Sequence, residues 1–441
     1  MKSSRSFTRR NFLKTAAVAG VAPLILPSRI WSADTPPSEQ ITLGFIGTGK
    51  QANDLMRGFI ARKDVRVVAV CDVDTNRRNR AKQVVETHYA EEMTAGTYKG
   101  CADYNNFEDL LARKDIDGVV IATPNHWHAL LVIAAAKAGK DIYCEKPMNF
   151  MIAEGRAMVK AVRANKRILQ VGSMQRSSTE FRTACELVRN GIIGKVDKVD
   201  VGVGGPGVPC DLPEEAAEPG LDWDRWLGPA QMRPYNSVLS PRGFPSGWPN
   251  WRLYREYGGG AVYDFGAHHF DIVQWAFGFD ETGPVEIIPA PDENATHGVK
   301  FRYDTGLEVT HGGRMAVSFH GDKGRIDVDR GHFQLWIGEE SKADNVDDCL
   351  RVAKEYLTEN SVRLYRSTNH LTDWLTSIRS RKQPICDVET GCRTASICGL
   401  VDLAYYHHQT LKWDPKTEKF TGGTGDPKWL TREYRDSWKV S

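Results

Sequence analysis

Between residues 41 and 150 the chain switches regularly between two textures, and that rhythm dictates the architecture. "ITLGFIG" (41–47), "VRVVAVCD" (65–72), "IDGVVIATP" (116–124) and "DIYCEKP" (141–147) are short apolar runs, each ending in a turn residue or an acid. Runs of that kind suit strands buried on both faces of a parallel sheet. Between them lie helical stretches: about Gln51 to Arg62, "NRRNRAKQVVETHY" (76–89) and "HWHALLVIAAAKAG" (126–139), the last closed by Gly139. "KGCADYNNFEDLLAR" (99–113) adds a short strand and a helix capped near Asn105 or Asn106. Strands alternating with helices imply a doubly wound parallel sheet with right-handed crossovers.

The first strand ends in Gly47, Gly49 and Ala52, spaced G-x-G-x-x-A at a helix start. The first glycine permits a tight turn, and the second lets backbone approach a pyrophosphate at the helix N-terminus. Alone the pattern is weak. It gains force from Asp72, 25 residues after Gly47 at the end of the next strand. There an acid can bind the hydroxyls of an adenine ribose and disfavour the extra phosphate of NADP. Arg77 and Arg78 nearby keep NADP open. "TPNHWHA" (123–129) follows another strand, at the sheet edge where ligands bind, and Asn125 and His128 are expected to face the cofactor. Glu145 and Lys146 end a further strand. A lysine there is usually half of a surface ion pair, but in a nucleotide crevice it can bind a substrate hydroxyl and assist its deprotonation.

From about Ile168 the texture changes. "RILQVGSM" adds one more strand, "STEFRTACELVRNGIIG" reads as a helix, and "KVDKVDVGVGG" alternates as a half-buried strand does. Residues 206–260 are rich in Pro, Gly and Trp and read as long loops with short helices. "VKFRYDTGLEVTHG" and "GRIDVDRGHFQLWIG" read as antiparallel strands with turns. The fold class expected is α/β: a dinucleotide-binding domain over 41–165, then an α+β domain over 166–441 with a large, mostly antiparallel open sheet. A late helix near 390–410 is expected to pack back on the first domain.

The order G-x-G-x-x-A, a strand ending "CD", "TPNHWH", then "EKP" resembles the Gfo/Idh/MocA family of nicotinamide oxidoreductases, related to glucose–fructose oxidoreductase and inositol dehydrogenase. The resemblance covers most of the chain after residue 40 and is strong again over "GGGAVYDFGAHHFDIVQWAFG", Gly258 to Gly278. It implies a Rossmann domain joined to an α/β domain whose open sheet often serves as an oligomer interface. It implies cofactor contacts from Gly47, Thr48, Gly49, Lys50, Gln51, Asp72, Thr123, Pro124, Asn125, His128, Glu145 and Lys146. The later stretch holds Asp264, His268 and Asp271, spaced D-x-x-x-H-x-x-D. Residues three and four apart share a helix face, so both acids are expected to flank His268, fixing its tautomer and raising its basicity. The resemblance makes His268 the general acid/base, with Asp264 orienting it or contacting substrate and Lys146 completing the site. His269 is the rival ring. Arg176, Arg252 and Asp271 are further expected substrate contacts. A zinc site in this cluster is the weaker alternative, and no metal is expected. Trp223, Trp226, Trp248 and Trp251 crowd the preceding loops; aromatic faces stack on sugar rings, though core packing explains any one of them.

Residues 1–33 hold six basic side chains and no acid, so the remainder of a chain with formal net charge +2 is slightly acidic, and no nucleic-acid partner is expected. "TRRNFLK" (8–14) before a short apolar run resembles a twin-arginine signal, with cleavage or retention as a membrane tether both open. That pathway exports folded proteins, often with cofactor inside. Nine scattered cysteines without a CxxC pair read as mostly free thiols, which suits folding in a reducing compartment. An exported enzyme meets little free nucleotide, so NAD is expected to stay bound through turnover. The expected function is an exported, homo-oligomeric NAD(P)-dependent oxidoreductase acting on a sugar, polyol or derivative, periplasmic or membrane-tethered. The alternatives are an NAD-dependent glycosidase, which oxidises, eliminates and re-reduces, and a non-catalytic sugar- or nucleotide-binding protein.

Overall fold

A computed structural model describes residues 39–435 and 438–439. The twin-arginine segment (1–33) and most of the polar linker that follows it (34–40) lie outside the described residues. Six strands form the first sheet: β1 (Ile41–Ile46), β2 (Val65–Cys71), β3 (Ala102–Tyr104), β4 (Gly118–Ile121), β5 (Asp141–Cys144) and β6 (Leu169–Val171). All pairs are parallel and the order is β3-β2-β1-β4-β5-β6. β4 and β5 are buried at every residue, as expected for strands covered by helices on both faces. The order reverses between β1 and β4, and that switch point opens the crevice where such sheets take ligands. The parallel sheet runs past residue 165, because β6 pairs with β5.

Ten strands form the second sheet: β7 (Val196–Val201), β8 (Glu286–Ile288), β9 (Lys300–Arg302), β10 (Glu308–His311), β11 (Val317–Gly321), β12 (Gly324–Asp329), β13 (His332–Ile337), β14 (Glu340–Ala343), β15 (Leu411–Asp414) and β16 (Lys419–Thr421). The order is β14-β13-β12-β11-β7-β10-β9-β8-β15-β16. Only the β7–β10 pair is parallel among these described strands. Burial alternates along β7, β11 and β13, so one face carries Val199, Val201, Phe319, Phe333 and Leu335 inward. The helix Gly266–Phe277 lies on that face, its Phe270 edge-on to Phe301 at 5.4 Å. The expected α/β class, with a parallel first sheet and a large, mostly antiparallel second one, is the observed fold.

Late segments return to the first sheet. The helix His370–Ser380 places Trp374 edge-on to Phe59 (5.6 Å) and Tyr143 (5.7 Å) beneath β1 and β5. The helix Val388–His407 packs so tightly against Ile152–Ala164 and β6 that a Cβ on Gly391 would meet Val171 at 2.5 Å. All nine cysteines are unpaired, and all but Cys210 are buried.

Candidate active site

The turn after β1 is built for close approach. Gly47 has φ +82°, and a Cβ there would lie 2.8 Å from the Ala122 backbone. Gly49 differs: its φ is −71°, and a Cβ would meet nothing within 4 Å. Neither strain nor packing calls for glycine at 49, so its bareness keeps open space in front of the helix Lys50–Ile60. That helix has no side-chain cap and no acid in its first turn. Its first N–H groups and positive dipole end therefore remain available to an anion. At the end of β2, Asp72 accepts from Thr48 N (2.7 Å) and Thr48 Oγ1 (3.0 Å), fixing the turn against the acid. Both lie on or behind a cavity of about 650 Å³ whose wall includes Gly47, Gly49, Lys50, Gln51, Thr123 and Asn125.

These residues fit NAD. Of the cations that would favour NADP, Arg77 and Lys50 line this cavity but already hold protein partners, and Arg78 is bonded outside it. Arg77 pairs with Asp74 and donates to the Pro241 (2.7 Å) and Gly243 (3.4 Å) carbonyls, while Arg78 binds Asp103 and the Asp72 carbonyl. Lys50 donates to the Ser246 carbonyl at 3.0 Å.

At the other end of the cavity Lys146 Nζ lies 2.5 Å from Asp264 Oδ1 and 2.8 Å from the Asp264 carbonyl oxygen. Arg252 grips the other carboxylate oxygen through Nε (3.0 Å) and Nη2 (2.5 Å). Burial pulls the Asp264 carboxyl up, but Lys146 and Arg252 more than offset it, and it stays below the usual carboxylate range. Behind Lys146, Glu145 accepts from Gln51 at 2.7 Å, and burial raises its carboxyl. His268 lines the same cavity. Burial, then the charges of Lys146 and Arg330, hold its imidazole far below its ordinary value, so it is neutral at pH 7. Its Nδ1 is buried without a partner among the described residues.

Family models agree with this geometry. Residues 41–173 match the "Oxidoreductase family, NAD-binding Rossmann fold" model of Gfo/Idh/MocA, and residues 207–440 match its "C-terminal alpha/beta domain" model. The chain belongs to the Gfo/Idh/MocA oxidoreductase family. A glycosyl hydrolase family 109 protein of Stenotrophomonas maltophilia is 27% identical over 229 residues, 49% of each chain. An inositol 2-dehydrogenase of Salmonella typhimurium is 32% identical over 154 residues, 34% of this chain and 42% of the relative. The chain thus spans about half the length, or less, of these curated relatives. Among solved structures, the WlbA dehydrogenase from Bordetella pertussis in complex with NADH and UDP-GlcNAcA superposes with a TM-score of 0.59 at 18% identity, covering 85% of this chain and 98% of that one. The aldose-aldose oxidoreductase from Caulobacter crescentus gives a TM-score of 0.56 at 18% identity, covering 85% and 99%. At that identity the likeness is one of fold.

Within this Gfo/Idh/MocA fold the residues singled out by sequence part company. Gly47, Gly49, Lys50, Gln51, Asp72, Thr123, Pro124, Asn125, Glu145, Lys146, Arg252, Asp264 and His268 share the cavity. Thr48 acts behind it through Asp72. His128 does not reach it: its ring is buried between the Pro147 (2.8 Å) and Thr123 (3.0 Å) carbonyls. Arg176 is no substrate contact either. It sits in the core, gripping Asp271 (2.7 Å) and Asp280 (2.7 Å). Asp271 is therefore a core acid, and it does not flank His268. Nor is the Asp264 carboxylate given to the imidazole: it meets two cations, Lys146 and Arg252, which bind it more strongly than a neutral imidazole would. The doubled histidine also resolves: His269 turns away and takes the Gly202 carbonyl at 2.7 Å. Trp226, Trp248 and Trp251 line the cavity, with Trp223 stacked on Trp226 at 4.7 Å. Sequence reading missed Gln175, Glu180 and Arg330, which also line it. They come from a short 3-10 turn, a helix start and a hairpin turn, and no motif marks them.

Proposed function

We propose that this protein is an exported NAD-dependent oxidoreductase of a sugar, polyol or sugar derivative, and that it keeps its nucleotide through turnover. One observation carries the reading: Lys146 and His268 share a single cavity with the Gly47–Gly49 turn and Asp72. NAD bound there would take a hydride from a substrate carbinol carbon or give one back. The chain's own residues would handle the proton. Lys146, fixed by Asp264, is placed to donate hydrogen bonds to the substrate oxygen and stabilise negative charge developing on it. His268, held neutral, is free to accept the hydroxyl proton and later return it. Trp248 and Trp251 offer apolar faces for the sugar ring, and the walls at Ile46, Ala122 and Leu131 exclude water.

Retention has its own support. The segment 241–252 crosses the nucleotide end as a strap. Its carbonyls accept from Arg77 and Lys50, Phe244 lies under Arg80 at 4.2 Å, and Pro245 lines the cavity before the segment passes on to the substrate end at Trp248 and Trp251. Retention suits export by the twin-arginine route, to the periplasm or a membrane tether. A homo-oligomer is part of the proposal, formed on the outward face of the second sheet, where Lys198, Asp200, His320 and Arg325 lie.

A second reading, an NAD-dependent glycosidase, is favoured by the similarity to glycosyl hydrolase family 109 proteins. The deciding experiment starts with freshly purified protein. Denaturation should release NAD, sugars should change the nicotinamide absorbance, and aryl glycosides would be cleaved without net NADH only on the second reading. Protein that carries no nucleotide and binds none would leave a non-catalytic binding protein. Replacing Arg9 and Arg10 by Lys should block export; unchanged export would remove the twin-arginine proposal. Light scattering reports the oligomer.

A further inference from the structure

A second cavity, of about 350 Å³, opens at one end of the ten-stranded sheet. Its walls are the loops after β7, β10 and β12 and the segment before β9, contributing Gly202, Arg314, Arg330 and His297. It abuts the catalytic cavity, because Phe265 and Arg330 line both. Arg330 is thus a shared wall between the place where Lys146 and His268 act and a pocket beyond it.

The wall holds two arginines and one acid, Asp329. Among the described residues neither Arg330 nor Arg314 has an acid within ion-pair distance. The Asp329 carboxylate accepts from Ala316 N at 3.1 Å and Arg330 N at 2.7 Å and pairs with neither guanidinium. Glu180, which lines the catalytic cavity, accepts from Gly331 N at 3.4 Å, next to Arg330 in the chain. Lys146 and Arg252 share the one carboxylate of Asp264, and His268 carries no charge. The substrate end of the cavity therefore sets Lys146, Arg252 and Arg330 among Asp264, Glu145 and Glu180, and Arg330 is a cation there that no acid pairs with among the described residues.

An unpaired surface arginine is ordinary, but Arg330 is held in place. The buried Gln175 amide, in the orientation that satisfies both its ends, accepts from Arg330 Nε at 3.1 Å and donates to the His268 carbonyl at 3.0 Å. The Phe265 ring supports the guanidinium from one side, 5.6 Å from its centre. A fixed guanidinium with its Nη groups unclaimed matches an oxyanion in two-pronged fashion. Gln175 also ties that fork to the backbone of the histidine that handles the proton.

We propose that the substrate is an acidic sugar: its reacting carbon lies before Lys146 and His268, and a carboxylate or phosphate on the same molecule is received by Arg330, with Arg314 lining the space behind. This rests on the sugar-oxidoreductase reading above and narrows its substrate class. Both oxyanions present the same chemistry, so the test carries one arm for each.

NAD-loaded protein is titrated with glucuronate, glucose 6-phosphate and glucose, with binding read by calorimetry and reduction read by nicotinamide absorbance. At least one acid should bind about tenfold or more tightly than glucose at low salt, with Kd rising as KCl is added. The preferred arm identifies carboxylate or phosphate. Arg330→Gln should erase the preference, read as the ratio of acid to glucose Kd measured in the same variant. Arg330 sits on an exposed hairpin turn, so folding should survive, and Arg314→Gln should weaken the preference in part. Equal binding of all three sugars, or a preference that survives Arg330→Gln, overturns the proposal. The two readings fail differently. Acid-selective binding with no absorbance change supports anion recognition and sinks the oxidoreductase reading. Reduction by glucose without any acid preference does the reverse.

Discussion

Asp264 and Asp271 lie seven residues apart, and each meets an arginine. Their settings are opposite. Asp264 keeps 16% of its side chain exposed on the wall of a cavity and shares its charge between Lys146 and Arg252. Asp271 is 1% exposed and sealed in the core with Arg176 and the Thr394 hydroxyl, and Asp280, half-buried, closes the cluster from outside. In the first cluster cations outnumber acids, and the excess faces a space where a substrate can sit. In the second the acids outnumber the cation and face no cavity. A buried pair of the second kind adds little net stability, yet breaking it is expensive. The contrast teaches that an acid–arginine pair is functional or structural according to what its surplus charge faces.

The largest effects should come from the first cluster and appear in turnover. Lys146→Ala and His268→Asn should each lower kcat by about 10²–10⁴-fold. Bound NAD and the melting temperature should hardly move. If the variants lose nucleotide in proportion to activity, these residues hold the cofactor and do not handle the proton. The second cluster should respond in the other observable. Arg176→Leu leaves Asp271 and Asp280 without their cation and should cost about 3–5 kcal/mol of stability. Chemical denaturation measures it, and the fraction still folded should keep its specific activity. A variant as stable as the parent would mean the pair is dispensable to the core.

Asp264→Asn tests the boundary between the two. It removes one charge but keeps the shape, so kcat/KM should fall about tenfold, the scale of one charge-assisted hydrogen bond. Stability should fall by about 1–3 kcal/mol, less than for Arg176→Leu, because Lys146 and Arg252 keep a hydrogen-bonding partner but lose its charge at a largely buried site. Loss of folding at this position would place Asp264 with the core acids after all.

The sequence did not separate these clusters, and the reason is tertiary. Helical spacing treats 264, 268 and 271 as one face, but Lys146, Arg252 and Arg176 reach the two acids from other segments, and spacing carries no trace of them. Gly47, Gly49, Asp72 and Lys146 were legible because strand ends are set by long apolar runs and the turn needs particular residues. The parallel sheet was legible for the same reason. Arg330 and Trp374 were not, since each reaches its place through tertiary packing of a segment distant in sequence. His128 misled because a histidine at a strand end looks the same whether it faces a ligand or two carbonyls.

A third pair sharpens the comparison with the smallest effect. Arg255 and Asp402 stand 3.7 Å apart, too far for a close ion pair, and Asp402 is buried. Burial pushes its carboxyl up to about 6, and Arg255 only partly opposes this. The direction of the pH effect follows from linkage. A carboxyl whose pKa is higher in the folded than in the unfolded state favours folding most below the unfolded value, near 3.9, and loses that contribution as pH rises through about 6. Asp402→Asn removes the titration. Melting curves of parent and variant should therefore lie close at pH 4 and separate toward pH 7, with the variant the more stable. Parallel curves across that window would show that Arg255 already neutralises Asp402, and a gap of 3.7 Å would then count as a working pair.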